Sequence, residues 1–132
     1  MRYMILVSHA GLAFGVRSAL DMLMGPRDHV LAFGMEEGTD PAAFGEKVAA
    51  GLPDFDESDE AVVLGDIAGG SPLRTVVATL EGLAIEGRFA AFGGLNLPMA
   101  IAALMAIEDD LSLDAVCDGI LANGIDAVCQ VA

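Results

Sequence analysis

Met4-Ile5-Leu6-Val7-Ser8-His9-Ala10-Gly11 decides how the rest of the chain is read. A short, almost wholly apolar run ends abruptly on Ser-His, then a glycine, then an amphipathic helix pattern. A run with no polar alternation fits a strand buried on both faces, as in a parallel sheet covered by helices. Such a strand delivers its last residue, here His9, to the sheet edge where α/β proteins place their chemistry.

Outward from this stretch the same alternation repeats. Tyr3–Val7 reads as a strand, and Leu12, Val16, Ala19, Leu20 and Leu23 mark one face of the helix after it. Gly25-Pro26 stops that helix, and His29–Gly34 is a second apolar run. Asp40-Pro41 reads as a cap followed by proline at the first helical position, opening a helix through Phe44, Val48 and Leu52. Pro53–Glu60 is an acidic loop. Ala61–Gly65 is a buried strand ending on Asp66, and Gly69-Gly70-Ser71-Pro72 opens a helix through Val76, Val77 and Leu80. Arg88–Gly93 is a fourth strand. Asn96-Leu97-Pro98 starts a Met-rich apolar helix, read as core and subunit interface. Ser112 caps a last helix that the spacing ends at Asn123-Gly124, leaving Ile125–Val131 as a closing strand.

The order β-α-β-α-β-α-β-α-α-β predicts one α/β domain over residues 1–132, an open and mostly parallel sheet with helices on both faces. In the common strand order 2-1-3-4, strands one and three are neighbours at the switch point. That topology brings His9 and Asp66, distant in sequence, into one crevice.

Composition narrows the partners. Apolar residues make up 55% of the 132 and mean hydropathy is +0.59, yet no run reaches the roughly 18–20 residues of a membrane helix. With no secretory leader pattern at Met1-Arg2-Tyr3, the expected location is cytoplasmic. Twenty acidic residues against six basic ones give a net charge of −14, which disfavours nucleic acid and suits a basic protein partner. Cys117 and Cys129 have no metal-ligand spacing and read as reduced thiols. His29, in a Pro-Arg-Asp-His turn, reads as structural.

The crevice has a defined chemistry. A carboxylate on one ring nitrogen fixes an imidazole's tautomer and leaves the other nitrogen as nucleophile. Asp66 is placed to do this for His9. Gly70 and Ser71, at a helix N-terminus, suit an anion through close backbone approach, a hydroxyl donor and partial positive charge. The three parts together fit phosphoryl transfer to histidine with no metal or organic cofactor. No G-x-x-x-x-G-K-[ST] or G-x-G-x-x-G is present. A phosphoacceptor-aspartate receiver would need an acidic pair after strand one and a lysine after a late strand; here Ser8-His9 stands in the first place and no lysine follows Lys47.

Val7-Ser8-His9 with Gly11, Asp66-x-x-Gly69-Gly70-Ser71-Pro72, and Asn96-Leu97-Pro98-Met99 resemble, in order and spacing, the IIA component of the mannose/fructose/sorbose family of bacterial sugar phosphotransferase systems. The resemblance implies that the basic carrier HPr phosphorylates His9, giving a tele-phosphohistidine oriented by Asp66. It implies that the phosphoryl group then passes to a IIB component and its membrane permease. It also implies a homodimer in which the C-terminal strand, Ile125–Val131, adds antiparallel to the partner's sheet edge. The phosphocarrier subunit of a dihydroxyacetone kinase shares the fold and the early histidine, and a non-catalytic regulatory module of the same fold is a third reading. The full Gly-Gly-Ser-Pro and Asn-Leu-Pro-Met set favours the sugar system. Ala10 stands where the family usually has glycine, and Ile67-Ala68 where Leu-Phe is more familiar.

Overall fold

The computed structural model describes residues 1–132. Its elements are β1 (Arg2–His9), α1 (Leu12–Met24), β2 (Val30–Met35), α2 (Pro41–Gly51), β3 (Glu60–Gly65), α3 (Ser71–Glu81), β4 (Phe89–Phe92), α4 (Leu97–Glu108) and α5 (Leu113–Asp126). The four strands form one all-parallel sheet in the order β2-β1-β3-β4. Leu6 lies beside Leu64, and Val7 beside Gly65, so β3 ends at the same sheet edge as β1, two residues short of His9.

The unbroken apolar run in β1 is explained by helices on both faces. Met4 and Leu6 pack with Val62 and Leu64 against α1, α4 and α5, through Val16, Leu20, Ala103, Leu104 and Ile120. Ile5 and Val7 face the opposite way with Ala61 and Val63, against Phe44 and Val48 of α2 and Leu73, Val76 and Leu80 of α3. Alternate residues of one strand therefore serve two cores. Burial of the larger of these side chains, the valines, leucines, isoleucines, Met4 and Phe44, contributes about 1.5–3 kcal/mol each and dominates the stabilisation.

Two expectations from periodicity change. The packed stripe of α1 is Ala13, Val16 and Leu20, whereas Leu12 and Leu23 are about half exposed (50% and 54%). The small Ala13 side chain sits in the core where a leucine was expected. The second concerns the C-terminus, where α5 runs through Asn123-Gly124 to Asp126 and residues 127–132 form no strand. Gly124 is buried, and a Cβ there would lie 3.0 Å from the Met99 Cβ. It is a close-packing glycine between α4 and α5, held also by the Asn96 side chain donating to its carbonyl at 3.2 Å, and not a helix stop. Within one chain β4 has a single strand neighbour, and Val128 and Val131 are 83% and 90% exposed.

No helix is long and apolar enough to cross a membrane.

Candidate functional site

β1 ends on His9 and Asp66 follows β3, so the imidazole and the carboxylate meet at the C-terminal edge of two adjacent strands. The Asp66 N–H donates to the Val7 carbonyl at 3.3 Å, which extends the ladder by one residue. Asp66 Oδ2 accepts twice from His9, at 2.8 Å from Nδ1 and 2.9 Å from the backbone N–H. Its Oδ1 accepts from the Ile67 N–H at 2.8 Å. Burial alone would raise the carboxyl's pKa, but the His9 backbone and ring bonds and the Ile67 bond outweigh it and hold the pKa below the usual value. The carboxylate is thus ionised at neutral pH. With Nδ1–H committed to it, the lone pair of the neutral ring lies on Nε2. The His9 side chain is half exposed (50%), while that of Asp66 is only 11% exposed.

The turn that follows is tightly determined. Ala10 adopts φ +48°, in the left-handed region. Its N–H donates to the Met35 carbonyl at 2.9 Å. Ser8 is completely buried; its Oγ accepts the Ala13 N–H at 2.7 Å and donates to the Ala10 carbonyl at 3.4 Å. Ser8 thus caps α1 from outside the helix, while Gly11, the residue before the helix, offers no side chain. The Ala10 carbonyl also presses on β2, because a Cβ on Gly34 would lie 2.3 Å from it.

Gly70 and Ser71 stand on the other side of the ring. A Cβ on Gly70 would come within 3.0 Å of His9 Cε1, so the missing side chain makes room for the imidazole. The Gly70 N–H is committed to the Ile67 carbonyl at 3.0 Å. Ser71 opens α3, whose N-terminus has no side-chain cap. It lines, with His9, Ala10, Met35, Glu36, Glu37, Gly38 and Thr39, an open cleft of about 360 Å³.

Glu36 and Glu37 are the site residues that motif reading missed. They directly follow β2, the other neighbour of β1, so strand order alone would have placed them at this edge.

The loop after β4 braces the backbone that carries the carboxylate. Gly94 N–H donates to the Asp66 carbonyl at 3.0 Å and Leu95 N–H to the Gly65 carbonyl at 2.9 Å. Gly93 packs against Ala68 so closely that a Cβ would lie 2.6 Å away. Asn96 caps α4 by accepting the Met99 N–H at 2.9 Å. The Asn-Leu-Pro-Met motif is therefore a joint behind the site.

His29 lies at the far end of the sheet, its carbonyl accepting from the Met4 N–H and its Nε2 buried without a partner. Both cysteines are free, and burial, then Asp114 and Asp118, push the Cys117 thiol's pKa up.

Comparison with known proteins places the chain in a family and matches its fold. The family model described as "PTS system fructose IIA component" matches residues 3–121. A phosphotransferase system component EIIA from Streptococcus agalactiae superposes with a TM-score of 0.85 at 22% identity, covering 98% of this chain and 97% of that one. The mannose/sorbose specific IIA subunit from Enterococcus faecalis gives 0.81 at 23% identity, covering 99% and 95%. A PTS IIA protein associated with the fucose utilization operon of Streptococcus pneumoniae gives 0.78 at 23% identity, covering 98% and 93%. These likenesses establish the common fold, and the family model, matching nearly the whole length, establishes the lineage. The chain belongs to the mannose/fructose family of IIA components of the sugar phosphotransferase system.

Proposed function

We propose that this IIA component carries a phosphoryl group on His9 Nε2, taking it from phospho-HPr and giving it to a IIB component in the cytoplasm. The observation that carries the reading is the 2.8 Å contact of His9 Nδ1 with an Asp66 carboxylate kept ionised by its hydrogen bonds. The Nε2 lone pair attacks phosphorus in line. A new N–P bond forms as the donor's P–N bond breaks, its electron pair returning to the donor imidazole. His9 then carries positive ring charge, which Asp66 offsets at Nδ1–H. The return step is the same displacement, with the acceptor's nucleophile attacking and His9 leaving.

Ser71 Oγ and the uncapped N-terminus of α3 suit the phosphoryl oxygens, and Gly70 contributes by leaving space beside the ring. No metal or organic cofactor enters the step, since the donor is already activated. The net charge of −14 favours encounter with a basic donor.

Incubation with enzyme I, HPr and phosphoenolpyruvate tests the reading. It should add one acid-labile, alkali-stable phosphoryl group to the wild-type chain and none to His9→Ala. Full labelling of His9→Ala would overturn the assignment.

A further inference from the structure

A phosphoryl group on Nε2 brings close to two negative charges at neutral pH. The cleft around His9 contains two glutamates, Glu36 and Glu37, and no lysine or arginine. The whole chain is strongly acidic, so a counter-charge near the group would lower the cost of carrying it.

The chain has six cationic side chains, and most are occupied. Arg2 pairs with Glu60, and Arg27 with Glu108. Arg88 donates to three backbone carbonyls, those of Asp59, Asp56 and Ala84. The Arg17 guanidinium lies over the Phe14 ring, 5.7 Å from its centre. Lys47 lines a separate cleft with Phe14, Phe33 and Phe44.

Arg74 is exposed and makes no ion pair or side-chain hydrogen bond. It stands three residues after Ser71, on the same side of α3. The two residues line a cleft of about 610 Å³ that meets the His9 cleft at Ser71. Arg74 also lines a further cleft with Ala68, in the loop between Asp66 and Gly70. Helical side chains lean toward their helix N-terminus, and the N-terminus of α3 is where Gly70 abuts the His9 ring.

We infer that Arg74 is the in-chain counter-charge for the phosphoryl group: its guanidinium extends over the first turn of α3, past Ser71, to the phosphoryl oxygens on His9. The inference rests on His9 being the acceptor. The charge is left unpaired in the unphosphorylated chain because its partner arrives with the phosphate.

The test uses the full chain phosphorylated by phosphoramidate, which needs no protein donor. Nε2 displaces the amine, the reagent's P–N bond breaks, and nitrogen takes up a proton to leave as ammonia. The second ionisation of the phosphoryl group is then followed by ³¹P NMR in wild type, Arg74→Gln and Arg74→Lys. At low salt the titration of Arg74→Gln should lie higher by about half a pH unit. Arg74→Lys should retain most of the wild-type value, and the difference should shrink in about 1 M salt. Thermal midpoints of the unphosphorylated proteins should coincide, since no intrachain bond is lost. Superimposable titrations of wild type and Arg74→Gln would overturn the assignment, even if transfer from a protein donor were slowed, because that would place Arg74 in partner docking. Failure of His9 to take up phosphate at all would overturn the acceptor reading and this inference with it.

Discussion

Ala10 sits at φ +48°, a conformation that places an L side chain close to its own carbonyl at a cost of roughly 1–2 kcal/mol. The turn is held there by the Met35 carbonyl on one side and the Ser8 hydroxyl on the other. Ala10→Gly should therefore stabilise the fold by about 1 kcal/mol, the relief of strain exceeding glycine's added chain entropy. The thermal midpoint should rise by about 3–6 °C; an unchanged or lower midpoint would show that the turn is not strained. Ser8→Ala should act in the opposite direction. It leaves the buried Ala13 N–H without its acceptor, and the expected loss is about 1–2 kcal/mol by urea denaturation. Asp66 carries a linked pH effect. Its pKa is depressed in the fold, so its contribution to stability is fully present above the ordinary carboxylate value of about 4 and is lost as pH falls through the lower folded value. Asp66→Asn should thus destabilise the protein more at pH 7 than at pH 3. The same variant should slow phosphoryl uptake by about 10–100-fold, the usual effect of removing a group that orients a functional imidazole. Equal uptake rates would remove Asp66 from the mechanism.

At the scale of elements, the features written into local pattern were the readable ones. β1 and β3 are unbroken apolar runs, which together with the alternation of strands and helices point to a doubly covered parallel sheet, and that topology brings their ends to one edge. The caps at Asp40, Asn96 and Ser112 each accept the N–H three residues on, as their residue types announce. What failed to read was close approach between distant segments. Gly124 resembles a helix stop in sequence, yet it serves the contact of α5 with Met99, and nothing local distinguishes the two uses. Gly34 is similar: it lies in β2, but its lack of a side chain is demanded by the Ala10 carbonyl in a different loop. Gly34→Ala should therefore disturb His9 without touching it. The added Cβ would overlap the Ala10 carbonyl, so the turn must move; the expected outcome is a destabilised fold and a shifted His9 ring resonance in ¹H–¹⁵N spectra. A His9 signal unchanged from wild type would show that the turn and the imidazole are independent.

At the scale of the whole molecule, one surface is left unfinished. β4 is only partly buried and forms an open sheet edge, and beside it lies an apolar cleft of about 430 Å³ lined by residues including Phe92, Met99, Leu121, Ile125 and Val128. Ile125, Val128 and Val131 are all strongly exposed. An open edge beside exposed branched side chains is a surface that a soluble chain ordinarily covers. Of the strand expected over Ile125–Val131, Ile125 and Asp126 belong to α5 and the residues after them form no strand within the chain, so a strand there requires a second copy to pair with. Exchange of residues 127–132 between two chains would add a strand to each sheet, with Val128 and Val131 on its opposite faces, at the end of the molecule away from β2. Light scattering on the wild-type chain should give about twice the monomer mass. The double variant Val128→Lys, Val131→Lys should give the monomer mass with a lower thermal midpoint, because burying two ammonium groups on the apolar edge costs more than the strand pairing gains. A wild-type monomer, or a double variant that dimerises as well as wild type, would show that this edge is not closed by its own C-terminal segment.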